Sequence, residues 1–172
     1  MIKDFRIRSI EGYTSQIGHL VSIMELTRGR TIKIIKDLTV KQLDYLEPPF
    51  RASIGTLLRH VCCVEYVNQV YVFDRRQLDQ NETAIWENGF SNNLDKSLIR
   101  GLPIAYYLQN FEDVRADTLV KLKNCEDEWL YSNLPSKTGA SLNNYYMLFH
   151  IVEEEIHHMG QIRLLLSKVI PS

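Results

Sequence analysis

The sequence predicts an all-α protein, a four-helix bundle with a long connection between its second and third helices. Three observations support that fold class. Apolar residues recur at helical spacing in four long segments, no long segment alternates as a strand would, and stretches with proline or glycine separate the segments. The chain has 172 residues, with neither an internal repeat nor a long linker. We therefore expect residues 1–172 to form a single helical domain.

The first two helices are predicted over residues 15–37 and 53–76, and Ser53 is a suitable N-cap for the second. A short helical turn over 39–46 precedes Pro48-Pro49, where a helix must end because proline cannot continue it. The first apolar stripe consists of Ile17, Leu20, Val21, Met24, Ile32, Ile35 and Leu38, and the second consists of Ile54, Leu57, Leu58, Val61, Val64 and Val72.

The second half of the chain begins with a mostly polar stretch, 77–101, which predicts a long connection with short helical turns. The third helix is predicted over 103–124, because Pro103 suits the first turn of a helix. The fourth is predicted over 141–169, and a proline follows it.

Composition excludes several classes of protein. The formal net charge is −1, with 20 basic and 21 acidic residues and no basic block, so the charge pattern of a nucleic-acid-binding protein is missing. No apolar stretch is long enough to span a membrane, and the N-terminus lacks the apolar segment of a signal peptide. Three irregularly spaced cysteines do not suggest a disulfide framework. We expect a cytoplasmic protein with neither a nucleic-acid nor a membrane partner.

The fourth helix carries the residues of chemical interest. At about 100° per residue, its apolar residues define a core-facing arc that includes His158, and Glu154 lies at the edge of that arc. His150 and His157 lie further out. Because residues four apart are neighbours on a helix surface, Glu154 and His158 can reach one cation together. Glu155 falls near the opposite side of the apolar arc, and the sequence offers no explanation for a charge there.

A third ligand can come from the second helix, where His60 shares a side with apolar residues. His60, Glu154 and His158 would suit Zn²⁺, Ni²⁺, Fe²⁺ or Mn²⁺ and would leave positions open for water or substrate. A purely structural alternative stays open, because a Glu154–His158 ion pair or hydrogen bond would satisfy the same pattern. Glu65, on the inward side of the second helix, is either a partner of a ligand histidine or a buried hydrogen-bonded carboxylate.

Two segments resemble the DinB family of helical proteins. Residues 53–61, S-I-G-T-L-L-R-H-V, followed by Glu65, are similar to the second helix of that family, and residues 157–161, H-H-M-G-Q, are similar to its last helix. The resemblance implies an up-down-down-up four-helix bundle, with a metal held by His60, Glu154 and His158. Many members have histidine where this chain has Glu154, but the thiol-dependent maleylpyruvate isomerases of the family carry glutamate there.

The resemblance also implies a function. It implies that the protein activates a small-molecule thiol, such as bacillithiol or mycothiol, and transfers it to an electrophile. We expect one divalent transition metal at the site, Zn or Ni before Fe or Mn. A metal-dependent hydrolase is a variant of this hypothesis. The alternative hypothesis is a non-catalytic metal- or ligand-binding stress-response module. We expect a homodimer. An open cleft at the metal would favour the enzyme, whereas a closed or shallow site would favour the module. The sequence identifies no catalytic side chain.

Overall fold

The structure is a computed structural model that describes residues 4–49, 51–90, 99–136 and 139–169. Within these residues the protein is mostly helical, which confirms the all-α prediction. The α-helices are α1 (Ser15–Ile35), α2 (Val40–Leu43), α3 (Ile54–Phe73), α4 (Gln80–Trp86), α5 (Ile104–Leu122) and α6 (Asn144–Val169). Two 3-10 helices, Glu87–Gly89 and Asp127–Tyr131, and two short strands, β1 (Asn133–Leu134) and β2 (Leu142–Asn143), complete the described elements.

The four long helices agree with the four predicted segments to within a few residues. Ser53 caps α3 as predicted, because its side chain accepts a hydrogen bond from the Thr56 amide at 3.2 Å. The short turn predicted over 39–46 is α2. The predicted connection over 77–101 contains α4 and a 3-10 helix, and its part over 91–98 lies outside the described residues, as does the proline after α6.

The start of the last helix was predicted wrongly. Residues 141–143 do not begin the helix; instead β2 pairs antiparallel with β1, and α6 begins at Asn144. Asn144 is fully buried, and its side-chain Nδ2 donates to the Trp129 carbonyl oxygen at 2.7 Å while its amide donates to Ser132. These contacts with a distant segment fix the first residue of α6, and local periodicity could not reveal them.

The long helices pack pairwise around two apolar clusters. α3 packs against α5 and α6, and α1 packs against α6 and, less extensively, α5. The 3-10 helix Asp127–Tyr131 is joined to the N-terminus of α1, because the Asp127 carboxylate accepts hydrogen bonds from the amides of Gln16 and Ile17 at 2.9 and 3.1 Å. Asp127 thus satisfies amides that the helix itself leaves unpaired. Within the described residues, no helix is both long and apolar enough to cross a membrane.

A buried ion cluster of two arginines and two glutamates joins all four long helices. Arg28 of α1 contacts Glu155 of α6 at 2.9 Å and Glu65 of α3 at 2.8 Å, while Arg115 of α5 holds Glu65 through two hydrogen bonds of 2.7 and 3.0 Å. All four side chains are at most 6% exposed. Glu155, which the sequence left unexplained, is therefore a buried charge with a partner, as buried charges generally are.

Glu65 belongs to the buried ion cluster and does not bond to a histidine. Its carboxylate also accepts a hydrogen bond from the Thr118 hydroxyl at 2.8 Å. Burial raises the pKa of Glu65, but Arg115 and Arg28 outweigh it and lower that pKa to about 2. The interpretation of Glu65 as a buried, hydrogen-bonded carboxylate is confirmed.

Candidate metal centre

The packing of α3 against α6 brings His60, Glu154 and His158 together. One carboxylate oxygen, Oε2 of Glu154, lies 3.4 Å from His60 Nε2 and 3.2 Å from His158 Nε2. One potential ligand atom from each residue lies within 4.8 Å of the other two. The two imidazole rings meet edge to face, with centroids 4.7 Å apart. Both histidines are buried and Glu154 is partly exposed, so the three side chains could hold one metal ion at the edge of the core.

The ring nitrogens that point away from this centre are already engaged. His60 Nδ1 lies 2.6 Å from the Gly89 carbonyl oxygen, which can only accept, so Nδ1 carries the hydrogen. His158 Nδ1 lies 2.9 Å from Gln161 Oε1, and Gln161 Nε2 bonds to His157. In its neutral form His60 therefore presents an unprotonated Nε2 to Glu154, and His158 Nε2 lies within hydrogen-bond distance of the same carboxylate oxygen. Such second hydrogen bonds are the usual means of orienting histidine ligands.

Charge favours a cation at this point. Two nitrogen lone pairs and a carboxylate oxygen converge there, and they repel one another unless a metal ion or protons lie between them. Burial lowers the pKa of His158, although the hydrogen bond to Gln161 opposes that shift. Burial raises the pKa of Glu154, but the charges of His158 and His150 outweigh it, so the net shift is downward. Two imidazole nitrogens and one carboxylate oxygen form a donor set that transition metals accept.

The remaining histidines stay outside this set, as predicted. His150 Nε2 is 3.9 Å from Glu154, and its Nδ1 lies 3.1 Å from Glu153. His157 is exposed on α6, and His19 is exposed on α1.

Sequence reasoning missed two residues that orient the ligands. Gly89 lies in the polar stretch 77–101, for which the sequence predicts only a connection, yet its carbonyl oxygen fixes the His60 ring. A Cβ at Gly89 would overlap the Cys63 side chain, so the close approach of this backbone to α3 requires glycine. Gln161 was noted only as part of a family motif, although its position three residues after His158 on one helix was a usable signal.

A cavity borders the candidate metal centre on the side of His60. A cavity of about 270 Å³ is lined by His60 and His150, by Cys63, and by residues from α3, α6 and the segment that follows α4. The Cys63 thiol is a weak candidate for a nucleophile or ligand, because burial raises its pKa to about 12. Cys62 and Cys63 are buried and Cys125 is partly buried, and all three are free thiols.

By fold and site, this is a helical protein whose His-Glu-His group, between two long helices, could hold one metal ion. Comparison with known families makes this specific: the family model described as mycothiol-S-transferase matches residues 19–167. The chain belongs to that family. The match agrees with the resemblance to the DinB family noted from the two motifs. A search of curated proteins finds no significant match.

Proposed function

We propose that this protein is a metal-dependent enzyme that transfers a low-molecular-weight thiol to an electrophile. In this proposal His60, Glu154 and His158 bind one divalent transition metal, Zn or Ni in preference to Fe or Mn. The observation that carries the proposal is the convergence of His60 Nε2 and His158 Nε2 on one carboxylate oxygen of Glu154. The family supports the thiol, because its name describes S-transfer from mycothiol.

We also propose the fold topology and the cellular location of the protein. Residues 1–172 form one domain, a four-helix bundle with up-down-down-up topology. The protein is located in the cytoplasm. The packing of α3 and α1 against both α5 and α6 supports this arrangement. It also explains why the ligands come from α3 and α6, two helices that lie in extensive contact.

Each residue has a separate role in the proposed chemistry. A bound divalent metal would lower the pKa of a thiol and so make it a nucleophile at neutral pH. Glu154 provides the negative charge of the site, while Gly89 and Gln161 hold the His60 and His158 rings in place. Three protein ligands leave room for a substrate atom, as catalytic sites do.

The alternatives differ in what they require. A metal-dependent hydrolase would use the same three ligands with a water molecule, but the name of the family favours S-transfer. A non-catalytic module would suit a closed or shallow site, and the cavity beside His60 does not discriminate, because of the three candidate ligands only His60 is among its described lining residues. The family name therefore favours the transferase over the hydrolase, and a conjugation assay separates the transferase from the module.

The first test is the metal content of the purified protein, measured by elemental mass spectrometry. Wild type should carry about one equivalent of Zn or Ni, and His158→Ala should lose it, because two ligands rarely retain a transition metal. His19→Ala is the matched control, since it removes an exposed histidine of α1 and should keep the metal. A wild-type protein that takes up none of Zn²⁺, Ni²⁺, Fe²⁺ or Mn²⁺ would contradict the metal proposal.

The second test concerns the reaction. Metal-loaded protein should accelerate the conjugation of mycothiol or bacillithiol to a fluorogenic electrophile such as monochlorobimane, and His158→Ala should not. Metal binding without any conjugation, across both thiols and several electrophiles, would leave the metal site standing but refute S-transfer.

We also propose that the protein is a homodimer through the outer face of α6. Tyr146, Phe149, Ile156 and Leu164 are each about half exposed along this face, and nothing lies within 4 Å of a Cβ built on Gly160. If two copies of α6 cross antiparallel about a two-fold axis near residue 158, Ile156 of each copy meets Gly160 of the other. The same register places Glu153 opposite Arg163 of the second copy. A self-complementary face of this kind suits a two-fold dimer.

A further inference from the structure

A cavity of about 320 Å³ lies between α3 and α5, away from the candidate metal centre. Its described lining residues are Tyr66 and Gln69 of α3, Trp86 at the end of α4, and Asn110, Asp113, Val114 and Asp117 of α5. Gln69 comes nine residues after His60 on the same helix, so at about 100° per residue the two side chains leave α3 on opposite sides. The cavity is therefore a place separate from the His60 side of α3.

The floor of this cavity contains an amide group whose orientation is fixed. Gln69 is 1% exposed, and its Nε2 donates to the Val114 carbonyl oxygen and to the Thr118 hydroxyl oxygen, both at 2.6 Å. Because a carbonyl oxygen can only accept, the nitrogen of the amide must face α5, and both of its hydrogens are used. Among the described residues, none donates a hydrogen bond to Gln69 Oε1. This oxygen is therefore left to accept a hydrogen bond from a molecule in the cavity that Gln69 lines.

Two carboxylates of α5 border the same cavity. Asp113 and Asp117 are exposed and four residues apart, so they are neighbours on the helix surface. Asp113 Oδ1 accepts a hydrogen bond from Gln109 Nε2 at 2.9 Å, and Asp117 Oδ2 lies 3.1 Å from Lys121 Nζ. Lys121 thus offsets part of the charge of Asp117. A carboxylate has about four acceptor positions, so both aspartates can accept further hydrogen bonds from a ligand.

The side of the cavity next to α4 is an aromatic wall. The rings of Tyr66 and Trp86 stack with centroids 4.9 Å apart, and the Arg59 guanidinium lies 3.8 Å from the centroid of the Trp86 ring. Arg59 also donates to Asn110 Oδ1 and to the Ile85 carbonyl oxygen, both at 2.6 Å. These contacts hold the wall in position. Aromatic rings of this kind attract organic cations as well as apolar groups.

We infer that this cavity binds a small organic amine in its protonated form, with an apolar or aromatic body. The ammonium group donates to Gln69 Oε1 and to the carboxylates of Asp113 and Asp117, while the body packs against Tyr66 and Trp86. An ammonium group has three N–H donors and no acceptor, which matches a site that offers three acceptors. A metal ion would gain little from the aromatic wall, and a neutral apolar molecule would leave the three acceptors unused. This binding activity is independent of the proposed thiol transfer.

The test is a titration of the purified protein with 2-phenylethylamine, followed by two-dimensional proton–nitrogen NMR. The chain has two tryptophans, so the indole N–H of Trp86 reports on the cavity and that of Trp129 reports on a position outside it. Asp113→Asn combined with Asp117→Asn removes both negative charges at exposed positions and keeps the side-chain shapes. Glu112→Gln is the matched control, because Glu112 is an exposed carboxylate of α5 that does not line this cavity. 2-Phenylethanol, which has the same body without the ammonium group, is titrated in parallel.

In wild type, 2-phenylethylamine should shift the signals of the Trp86 indole and of the Gln69 side-chain amide, and leave the Trp129 indole in place. The double aspartate variant should bind the amine roughly tenfold or more weakly, because hydrogen bonds to ionised partners are the stronger ones. Glu112→Gln should match wild type, and 2-phenylethanol should bind wild type roughly tenfold or more weakly than the amine.

Three results would each overturn the amine site. The first is a wild-type protein whose Trp86 indole does not respond to millimolar amine. The second is a double aspartate variant, folded by its NMR spectrum, that binds the amine within twofold of wild type. The third is equal affinity of wild type for 2-phenylethanol and 2-phenylethylamine, since the ammonium group would then contribute nothing. The third comparison uses wild type alone and so holds even if the double variant does not fold.

Discussion

Replacing Glu155 by glutamine changes the charge of the buried ion cluster while keeping the shape of the side chain. In wild type, two carboxylates neutralise Arg28 and Arg115, and the Glu155 carboxylate lies 2.9 Å from Arg28 and 3.6 Å from Arg115. Glu155→Gln leaves the two guanidinium groups with Glu65 and, for Arg115, the partly exposed Glu25, whose carboxylate lies 3.1 Å away. Removing one partner of a buried ion pair typically costs about 3–5 kcal/mol, because the remaining charge cannot be solvated. The expected loss for Glu155→Gln is of that size.

The assay is urea unfolding followed by circular dichroism, with thermal melting as a second measurement. A loss of about 3–5 kcal/mol corresponds to a fall in Tm of roughly 6–20 °C for a protein of this size. Glu112→Gln is the control, since Glu112 is an exposed carboxylate of α5 and its replacement should change the unfolding free energy by less than about 0.5 kcal/mol. A Glu155→Gln protein within about 1 kcal/mol of wild type would refute the view that this charge is buried and paired.

A double substitution separates charge from packing. Arg28→Met with Glu155→Met removes one charge of each sign and leaves Arg115 and Glu65 joined by their two hydrogen bonds. The double variant should be less destabilised than the sum of the two single methionine variants by more than about 1 kcal/mol, because each single change leaves an unpaired charge. Additive effects would show that the loss comes from packing alone.

Three further predictions follow from single contacts. The pKa of Glu65 is lowered from its ordinary value of 4.5 to about 2, so its contribution to stability should be complete above pH 4.5 and lost as the pH falls through about 2. The test is to compare the acid unfolding of wild type with that of Glu65→Gln. The same pH dependence in both proteins would contradict the prediction. Gly89→Ala should weaken metal binding by about 10–100-fold, measured in competition with a chelator, because the added Cβ displaces the carbonyl that orients His60. Gly29→Ala is the control and should keep wild-type metal affinity, because its Cβ would lie in open space. Ile156→Glu should convert the proposed dimer to a monomer in multi-angle light scattering, and a wild-type monomer would refute the α6 interface.

The four long helices could be predicted, and Glu154 and His158 could be proposed as a pair of ligands, because both signals are local. Apolar periodicity marks each helix, and the spacing of Glu154 and His158 follows from helix geometry alone. The partners of these residues could not be predicted in the same way. Gly89 contacts His60 across 29 positions of the chain, and no local pattern links a breaker in a polar stretch to a histidine on α3. The start of α6 likewise depends on contacts beyond its own helix, since β2 pairs with β1 and Asn144 bonds to the Trp129 carbonyl oxygen.

The buried ion cluster shows where sequence reasoning stops. Periodicity indicated that Glu65 and Glu155 face inward, and the same method applied to Arg28 and Arg115 would have placed both arginines on apolar faces of α1 and α5. Two inward-facing glutamates and two inward-facing arginines suggest that they form ion pairs with one another, because an unpaired buried charge is costly. Which helix faces meet is a tertiary property, so the pairing itself required the structure.

The buried ion cluster also bears on the candidate metal centre through its position. Glu65 lies five residues after His60 on α3, and Glu155 is the residue next to Glu154 on α6. Arg28 bonds to both glutamates, at 2.8 and 2.9 Å, and so ties α3 to α6 beside the place where His60 must meet Glu154 and His158. Buried ionic groups add little net stability, but they can specify one register of two helices. We therefore expect Glu155→Gln to weaken metal affinity as well as stability, and unchanged metal affinity in a folded Glu155→Gln protein would show that apolar packing alone sets that register.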